Sequence, residues 1–398
     1  MNSPANISSL ISTDTNVAVW NATPALPSAP AKTLKVLHVI NGEHFSGAER
    51  VQQLLGRCLP EFGVDPHFAC VKPGKFPAMC GLPDEKVHLF PMRGRVDWKS
   101  MRQLSDFVRS EQFDLLHAHT PRSAMVTGFV AKTCGLPWVY HVHSPTARDS
   151  TRAILNRVND IVERWSLRNC SKIVTVSRSL RREMLHQGWD RTKLVAIGNG
   201  VACQEPIVPE DRKTRNSWTL GMVALFRPRK GIEVLLEALS LLPDELDSIE
   251  LRVIGGFETE AYEQQVRQLI ASLGLKSRVH LTGFTTDVSQ EMRQLDGMVL
   301  PSLFGEGMPM VVLEAMAVGV PILATRVEGT PEVVRDGVEG YLAAPRDPVS
   351  LASAIERFTQ SRDRWTEMSH NAFQRHREHF TDRRMAEKLA RVYRSMLR

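Results

Sequence analysis

Apolar stretches alternate with amphipathic stretches from residue 34 almost to the end of the chain, and this alternation predicts its secondary structure. The continuous apolar run Leu34–Ile40 predicts a buried strand, and the residues after it have the period of a helix. That helix presents one apolar face, formed by Val51, Leu54, Leu55, Cys58 and Leu59. Ser46 and Glu49 have the spacing of a capping box at its beginning.

Nine further apolar runs predict strands: Phe113–His119, Trp138–Ser144, Lys172–Ser177, Leu194–Ile197, Thr219–Leu225, Glu250–Ile254, Val279–Thr282, Gly297–Pro301 and Ile322–Thr325. Helical patterns lie between them. Strands that alternate with helices are typical of parallel sheets with helices on both faces, so we predict an α/β fold.

The alternation lapses once, at the polar segment Cys203–Ser217, which contains two prolines and predicts a linker. A chain of 398 residues suits two domains better than one core. We predict a disordered N-terminal extension (1–33), a first Rossmann-like domain (34–203), the linker (204–217), a second Rossmann-like domain (218–381) and a C-terminal helix (382–398). Two doubly wound domains that face a cleft bind ligands at the carboxyl ends of their strands.

The composition, 42% hydrophobic and 24% charged, is typical of a globular protein in water. No apolar run approaches the roughly 20 residues needed to cross a bilayer, and the N-terminus lacks the pattern of a signal peptide. The six cysteines have no CxxC spacing, which favours small core residues of a reduced protein over a zinc site. We therefore expect a cytoplasmic protein.

The net charge of +6 is concentrated between Arg148 and Lys193, where eleven basic residues face five acidic ones. A basic surface on the first domain would suit an anionic membrane, at its inner face, or a phosphorylated acceptor. A solvated helix face is an equally good interpretation. Nucleic acid is disfavoured, because stacking aromatic residues do not interleave with the basic ones.

The segment from Glu306 to Ala317 contains the most informative candidate residues. It predicts a buried helix with Pro309 at the first helical position. Glu314 lies within its apolar sequence, where a carboxylate is costly unless a partner satisfies its oxygens. Glu306 and Gly307 precede the helix, where free amides and the helix dipole attract an anion. These features predict a phosphate-bearing ligand with hydroxyl groups near Glu314; the alternative is a core helix with one paired glutamate.

Two other loops have residues suited to a phosphate. Asn41–Gly47 follows the first strand, and Gly47 allows a ligand or acceptor to approach the backbone closely. Arg227, Arg229 and Lys230 precede the helix that begins near Ile232. Cations at a helix N-terminus oppose its dipole, and a bound diphosphate would reverse that cost. The simpler interpretation of the first loop is a structural turn, and that of the second is a group of surface cations.

Two His-x-His pairs end predicted strands: His117 with His119, and His141 with His143. Strand geometry puts the two members of each pair on one face of the sheet. A metal centre is one interpretation, but no array of aspartate or glutamate ligands accompanies the pairs. We favour one or two histidines that point into the cleft, with no metal.

With these motifs identified, residues 34–381 resemble the retaining glycosyltransferases of family 4 (GT4), which have the GT-B fold. The resemblance rests on an ordered set of segments: Lys35–Glu49, Asp114–His119, Trp138–Pro145, Val176–Ser177, Asn199–Val201, Lys230–Gly231, Val253–Gly256, Val279–Phe284, Pro301–Ala317 and Gly329–Val333. It also implies that the terminal helix crosses back to the first domain.

The resemblance implies a role for each candidate residue. Glu314 would bind the ribose hydroxyls of the donor and Lys230 its diphosphate. Glu306 would contact the donor sugar, while His143 faces the reacting sugar from the first domain. The donor would further contact Gly47 and the backbone N–H groups of Gly307, Met308 and Met310.

One position departs from the family pattern. The usual diphosphate arginine lies five residues before the lysine, where this chain has Leu225. Arg227 or Arg229 would then supply the second cation. Together with Lys230 these cations replace a metal ion in stabilising the leaving diphosphate, so no metal or other cofactor is expected.

The resemblance implies a metal-independent hexosyltransferase that moves a sugar from a nucleotide-sugar to an acceptor hydroxyl with retention, in polysaccharide or glycolipid biosynthesis. The acceptor would be a sugar or a lipid-linked sugar, and an anionic membrane surface would be a further partner. Three alternatives remain: an epimerase or hydrolase of nucleotide-sugars on the same fold, a non-catalytic sugar-nucleotide-binding protein, and a metal hydrolase built on the histidine pairs.

Overall fold

A computed structural model describes residues 32–94, 96–144, 166–207, 212, 217–246, 248–360 and 362–397. From Thr33 onward they form one compact unit. Residues 1–31 of the predicted extension, most of the predicted linker 204–217, and residues 145–165 of the basic stretch lie outside the described residues.

The first sheet contains seven parallel strands: β1 (Leu34–Ile40), β2 (Val64–Cys70), β3 (Val87–Leu89), β4 (Leu115–Ala118), β5 (Trp138–Val142), β6 (Lys172–Thr175) and β7 (Leu194–Ala196). Their order is 3-2-1-4-5-6-7. Since β2 and β4 flank β1, the chain reverses its winding direction there, and a crevice opens beyond the carboxyl ends of β1 and β4.

The second sheet contains six parallel strands: β8 (Thr219–Val223), β9 (Glu250–Ile254), β10 (Val279–Gly283), β11 (Gly297–Leu300), β12 (Ile322–Thr325) and β13 (Gly340–Ala343). Their order, 10-9-8-11-12-13, repeats the winding of the first sheet. The corresponding crevice lies beyond β8 and β11. The prediction of two Rossmann-like, doubly wound sheets is confirmed.

The α-helices of the described residues are Gly47–Cys58, Lys75–Met79, Trp98–Ser110, Pro121–Cys134, Arg178–His186, Ile232–Ser240, Glu260–Ser272, Val288–Met292, Met310–Ala317, Thr330–Val333, Pro348–Thr359, Arg362–His379 and Asp382–Met396. The predicted capping box is present, because the Glu49 carboxylate accepts a hydrogen bond of 3.1 Å from the Ser46 amide. None of these helices combines the length and apolar character needed to cross a membrane.

Pro309 is not the first helical residue, so that prediction is wrong. Its ψ of 112° is extended, and it caps the helix that begins at Met310. Its carbonyl oxygen accepts hydrogen bonds from the amides of Val312 and Leu313, which is the role of an N-cap carbonyl. Because proline has no backbone N–H, the capping residue itself needs no hydrogen-bond acceptor.

We call the part of the unit around the first sheet the first half and the part around the second sheet the second half. The hydrophobic core has three clusters: a large one shared by both halves, one within the second half, and a small one between β1, β2 and the helix Lys75–Met79. The C-terminal helix Asp382–Met396 packs against the first half. Tyr393 is fully buried there, and the Arg394 guanidinium donates to the carbonyl of Phe62. All six cysteines are free, and four of them are buried core residues: Cys58, Cys70, Cys80 and Cys170.

Polar contacts join the two halves where their strands end. The carboxylate of Glu332 accepts hydrogen bonds from the amides of Arg178 (2.8 Å) and Ser179 (2.5 Å), at the N-terminus of the helix Arg178–His186. The Asn199 side-chain amide donates to the carbonyl of Met308 across 3.0 Å. The loops after the strands of one sheet are therefore held against those of the other.

Candidate active site

Two loops of the second sheet meet at its crevice. The loop after β8 ends in a short 3₁₀ turn, Pro228–Lys230, and the loop after β11 leads to the helix Met310–Ala317. Gly231 follows Lys230 with a φ of +70° and lies against the other loop, because a Cβ atom there would be 2.2 Å from the carbonyl oxygen of Pro301. Only glycine fits this position, and it lets the two loops touch.

Glu306 is the carboxylate on which these loops converge. Its Oε1 lies 2.5 Å from Nζ of Lys230 and 2.7 Å from the hydroxyl of Ser302, which donates to it. The Nη1 atom of Arg229 is 3.8 Å away. The Glu306 side chain is only 6% exposed, and a buried carboxylate is tolerated when cations and donors surround it in this way.

Arg229 and Arg227 point to different partners. Arg229 also donates to the carbonyl of Gly305 over 3.2 Å, so its guanidinium lies along the loop that holds Glu306. Arg227 instead pairs with Glu258 at 3.0 Å, where both side chains are more than 40% exposed. Of the two arginines that the sequence left open, Arg229 is the one placed beside Glu306 and Lys230.

Glu314 lies on the helix behind this loop and pairs with a residue of the first half. The Nη2 atom of Arg50 is 2.5 Å from its Oε1. Burial raises the pKa of the Glu314 carboxyl, and the charge of Arg50 opposes that shift. An ionised carboxylate has about four lone-pair sites, so beside its contact with Arg50 it can also accept hydrogen bonds from ligand hydroxyls.

Residues of the first half approach the beginning of the helix Met310–Ala317. A Cβ atom on Gly307 would lie 2.2 Å from the carbonyl oxygen of His143, so only glycine allows this approach. Gly47 faces the side chain of Met310, because a Cβ atom there would lie 3.7 Å from its Cγ. Six of the predicted site residues thus have contacts across the boundary between the halves: Gly47, His143, Gly307, Met308, Met310 and Glu314.

Five histidines are stacked behind this boundary: His38, His117, His119, His141 and His143. The members of each His-x-His pair share a face, with ring centroids 4.2 Å apart in the first pair and 4.4 Å apart in the second. This confirms the predicted strand spacing. Burial lowers the pKa of all five rings, to about 3 for His38 and about 4 for His143.

The expectation that one or two histidines point into the cleft applies at most to His143. The rings of His117, His119 and His141 are buried to 2% exposure or less. Two sets of three ring nitrogens lie within 4.8 Å of one another, and His119 belongs to both sets. Neutral imidazoles at such distances can hold a metal ion, but His119 is also hydrogen-bonded to two of its neighbours, His38 at 2.9 Å and His143 at 3.2 Å.

Several residues of the site were not found from the sequence. Arg50, Ser302 and Glu332 carry no motif of their own, although Ser302 and Glu332 lie within segments that supported the family resemblance. His38 has no partner at His-x-His spacing. Tyr393 lies far along the chain in the terminal helix, and only the folded structure brings it to the histidines.

We expect the free energy of unfolding to fall as the pH is lowered from 7 towards 5. Each buried ring has a folded-state pKa below the value of about 6.5 of an unfolded histidine, so the unfolded chain binds more protons in this range. Each ring contributes up to about 1.4 kcal/mol per pH unit. Urea unfolding at several pH values measures the slope.

The variant His141→Phe provides the comparison, because both ring nitrogens of His141 are buried without a hydrogen bond in the described structure. In this variant the free energy of unfolding should fall less steeply with decreasing pH, because the unfolded chain binds about one proton fewer. A stability that is constant between pH 7 and 5, or an unchanged slope in the variant, would contradict the prediction.

Comparisons with known proteins extend these observations. The family model "Glycosyltransferase Family 4" matches residues 45–205, and "Glycosyl transferases group 1" matches residues 204–375. A UDP-Gal:alpha-D-GlcNAc-diphosphoundecaprenol alpha-1,3-galactosyltransferase of Escherichia coli is 25% identical over 83% of this chain and 89% of its own. A phosphatidyl-myo-inositol mannosyltransferase of Mycobacterium leprae is 27% identical over 61% of this chain and 63% of its own.

Among solved structures, Anabaena HepE in complex with UDP is similar in fold. It has a TM-score of 0.78 and 21% identity, over 91% of this chain and 100% of that one. The predicted GT-B fold is thereby confirmed. Since the two family models adjoin and together span residues 45–375, the chain belongs to the family 4 glycosyltransferases.

Proposed function

We propose that this glycosyltransferase transfers a hexosyl group from a nucleoside-diphosphate sugar to a hydroxyl of a sugar or lipid-linked acceptor, with retention and without a metal ion. The observation that carries the proposal is the contact of Lys230 and Arg229 with the buried carboxylate of Glu306, just before the helix Met310–Ala317. No side chain in the described structure caps that helix. Two cations and a helix N-terminus form a site for a diphosphate.

The contact between Lys230 and Glu306 makes donor binding an exchange of partners. A diphosphate carries more negative charge than one carboxylate, so it competes for the ammonium group of Lys230 and the guanidinium of Arg229. Glu306 then has lone pairs free for the hydroxyls of the donor sugar. The same two cations stabilise the negative charge that develops on the diphosphate as it leaves, which is the largest electrostatic demand of the reaction.

Glu314 supports the assignment of the ribose position. Its Oε1 atom is buried and has no well-aligned hydrogen bond from the described residues, although Arg50 lies 2.5 Å away. A vicinal pair of ribose hydroxyls can donate to the lone pairs of this carboxylate that Arg50 does not use. The eight-residue helix places Glu314 about one turn beyond its beginning, a distance that a phosphate and a ribose can span.

His143 belongs to the first half and is the residue there that we assign to the donor sugar. Burial keeps its pKa near 4, so the ring is neutral at pH 7. Its Nε2 lies 3.2 Å from Nδ1 of His119, which leaves Nδ1 of His143 for an uncharged hydroxyl. Its backbone carbonyl adjoins Gly307, so the residue lies beside the loop that we assign to the sugar.

The relatives favour a lipid-linked acceptor. The names of the E. coli and M. leprae proteins specify a diphosphoundecaprenol-linked acceptor and a phosphatidylinositol acceptor. In this chain, Arg178, Arg181 and Arg182 line a groove of about 500 Å³ together with apolar residues of β7. Cations beside apolar groups suit the headgroup region of an anionic membrane, and we propose peripheral binding there.

We expect Lys230→Ala to lower the rate of sugar transfer about 10²- to 10³-fold, because it removes one preorganised donor to the leaving group. Arg229→Ala should lower the transfer rate more than Arg227→Ala does. Single-turnover transfer, measured with a panel of nucleotide-sugars and lipid-linked acceptors, tests this. Arg267→Ala, which removes an exposed cation elsewhere, is the matched control.

The same assay separates the alternatives. Retention of the anomeric configuration in the product and full activity in EDTA support the proposal, and inversion or loss of activity contradicts it. Steady donor conversion without acceptor favours an epimerase or hydrolase, and donor binding without turnover favours a non-catalytic protein. Near-normal transfer by Lys230→Ala and Glu306→Ala would refute the assignment of the site.

We expect Glu314→Gln to weaken the binding of UDP about 10- to 100-fold, because hydrogen bonds to a charged group contribute about 1.5–3 kcal/mol. The dideoxy analogue, which lacks both ribose hydroxyls, should bind the wild type and the variant equally weakly. Calorimetric titration of both nucleotides with both proteins measures this. If the substitution weakened the binding of UDP and of the dideoxy analogue to the same extent, Glu314 would not contact the ribose.

We expect the protein to cosediment with vesicles that contain phosphatidylglycerol and to be released by salt, because the attraction is screened. Arg178→Ala combined with Arg182→Ala should weaken binding about tenfold or more, since each cation near the surface contributes about 1 kcal/mol. Arg267→Ala with Lys276→Ala removes equal charge elsewhere and serves as the control. Equal binding to phosphatidylcholine vesicles, or equal loss in both double variants, would contradict the proposal.

A further inference from the structure

A chain of hydrogen bonds connects the candidate site to the C-terminal helix. His143 Nε2 lies 3.2 Å from His119 Nδ1, and His119 Nε2 lies 2.9 Å from His38 Nδ1. His38 Nε2 is 3.5 Å from the hydroxyl of Tyr393, which lies 2.6 Å from His117 Nδ1. Four imidazoles and one phenol thus form a single line through the buried face of the first sheet.

The protonation of this line follows from its burial. All four rings are neutral at pH 7, and burial also raises the pKa of Tyr393, so its hydroxyl keeps its proton. A neutral imidazole has one N–H and one lone pair. Because His119 and His38 each use both nitrogens, the tautomer of one ring dictates that of the next. If Tyr393 accepted from both His117 and His38, its own buried O–H would have no acceptor in the line. The fully hydrogen-bonded line therefore has two states, which run in opposite directions.

The two ends of the line decide between these states. His117 Nε2 and His143 Nδ1 are both buried without a hydrogen-bond partner among the described residues. One state leaves an N–H at His117 and a lone pair at His143; the other reverses them. His117 is fully buried, and a buried N–H without an acceptor is rarer than an acceptor without a donor. His143 is the partly exposed end of the line, where water can reach an N–H more readily than at His117.

We propose that Tyr393, His38 and His119 are positioning residues that hold His143 in its Nδ1–H tautomer. His117 donates from Nδ1 to the Tyr393 oxygen, and each later member donates to the next until His119 donates to His143 Nε2. His143 then presents an N–H, and not a lone pair, towards the donor sugar. This last step rests on the proposed function; the tautomer itself does not.

The test uses the full-length protein with ¹⁵N-labelled histidine and no substrate. Long-range proton–nitrogen spectra distinguish an imidazole nitrogen that carries hydrogen from one that does not, and His143→Gln identifies the signals of His143. The proposal expects one neutral tautomer with hydrogen on Nδ1. A ring with hydrogen on Nε2, or a mixture of tautomers, would overturn it without any further variant.

The variant Tyr393→Phe keeps the ring and removes the hydroxyl that joins His117 to His38. We expect both tautomers of His143 to appear in it. Tyr341→Phe is the matched control, because Tyr341 is fully buried and its hydroxyl has no hydrogen bond from the described residues. It should leave the His143 signals unchanged. An unchanged spectrum in Tyr393→Phe would also refute the proposal.

Elemental analysis of the same samples addresses the metal alternative. One equivalent of zinc or another transition metal that His38→Gln removes would show that the rings are ligands and overturn the hydrogen-bonded line. Since the spectra are recorded without substrate, a failure of the proposed function, seen as a lack of sugar transfer, can be told apart from a failure of this inference.

Discussion

The burial of the Glu306 carboxylate is the constraint on which the rest of the site depends. A carboxylate that is 6% exposed requires nearby charge and hydrogen-bond donors, and Lys230, Arg229 and Ser302 supply them. Lys230 and Arg229 come from the loop after β8, and Ser302 from the loop after β11. Because one charge requires both loops, they fold against each other, and the crevice between these neighbouring strands becomes a single site.

Much of the fold follows from local patterns in the sequence. The bounds of β1, β9 and β12 were predicted to the residue, because most residues of each are apolar and none is a proline. β2, β3 and β13 were missed for physical reasons. Val64–Cys70 contains an aspartate, a proline and a histidine, and β3 has only three residues. Such strands are stabilised by their neighbours in the sheet, a contribution that the sequence alone does not display.

Some features of the site could likewise be predicted from local sequence, and others could not. The loops with Lys230 and Glu306 could be predicted because helix termini, cations and glycines have local signatures. The pairing of Arg50 with Glu314 could not be predicted, since it joins two halves of the fold. The direction of Arg227 towards Glu258 depends on a loop 31 residues further along the chain, and sequence spacing could not separate it from Arg229. Contacts across halves are set by the docking of two sheets and not by local propensity.

The cap that Glu332 forms on the helix Arg178–His186 has a consequence for the balance between conformations. Any separation of the two halves breaks it, because the carboxylate and the two amides lie on opposite sides of the boundary. A charge at a helix N-terminus contributes about 0.3–1 kcal/mol, which corresponds to a factor of about two to five in an equilibrium constant. This contact therefore stabilises the observed arrangement of the two halves only slightly, and a ligand that binds residues of both halves would stabilise it further.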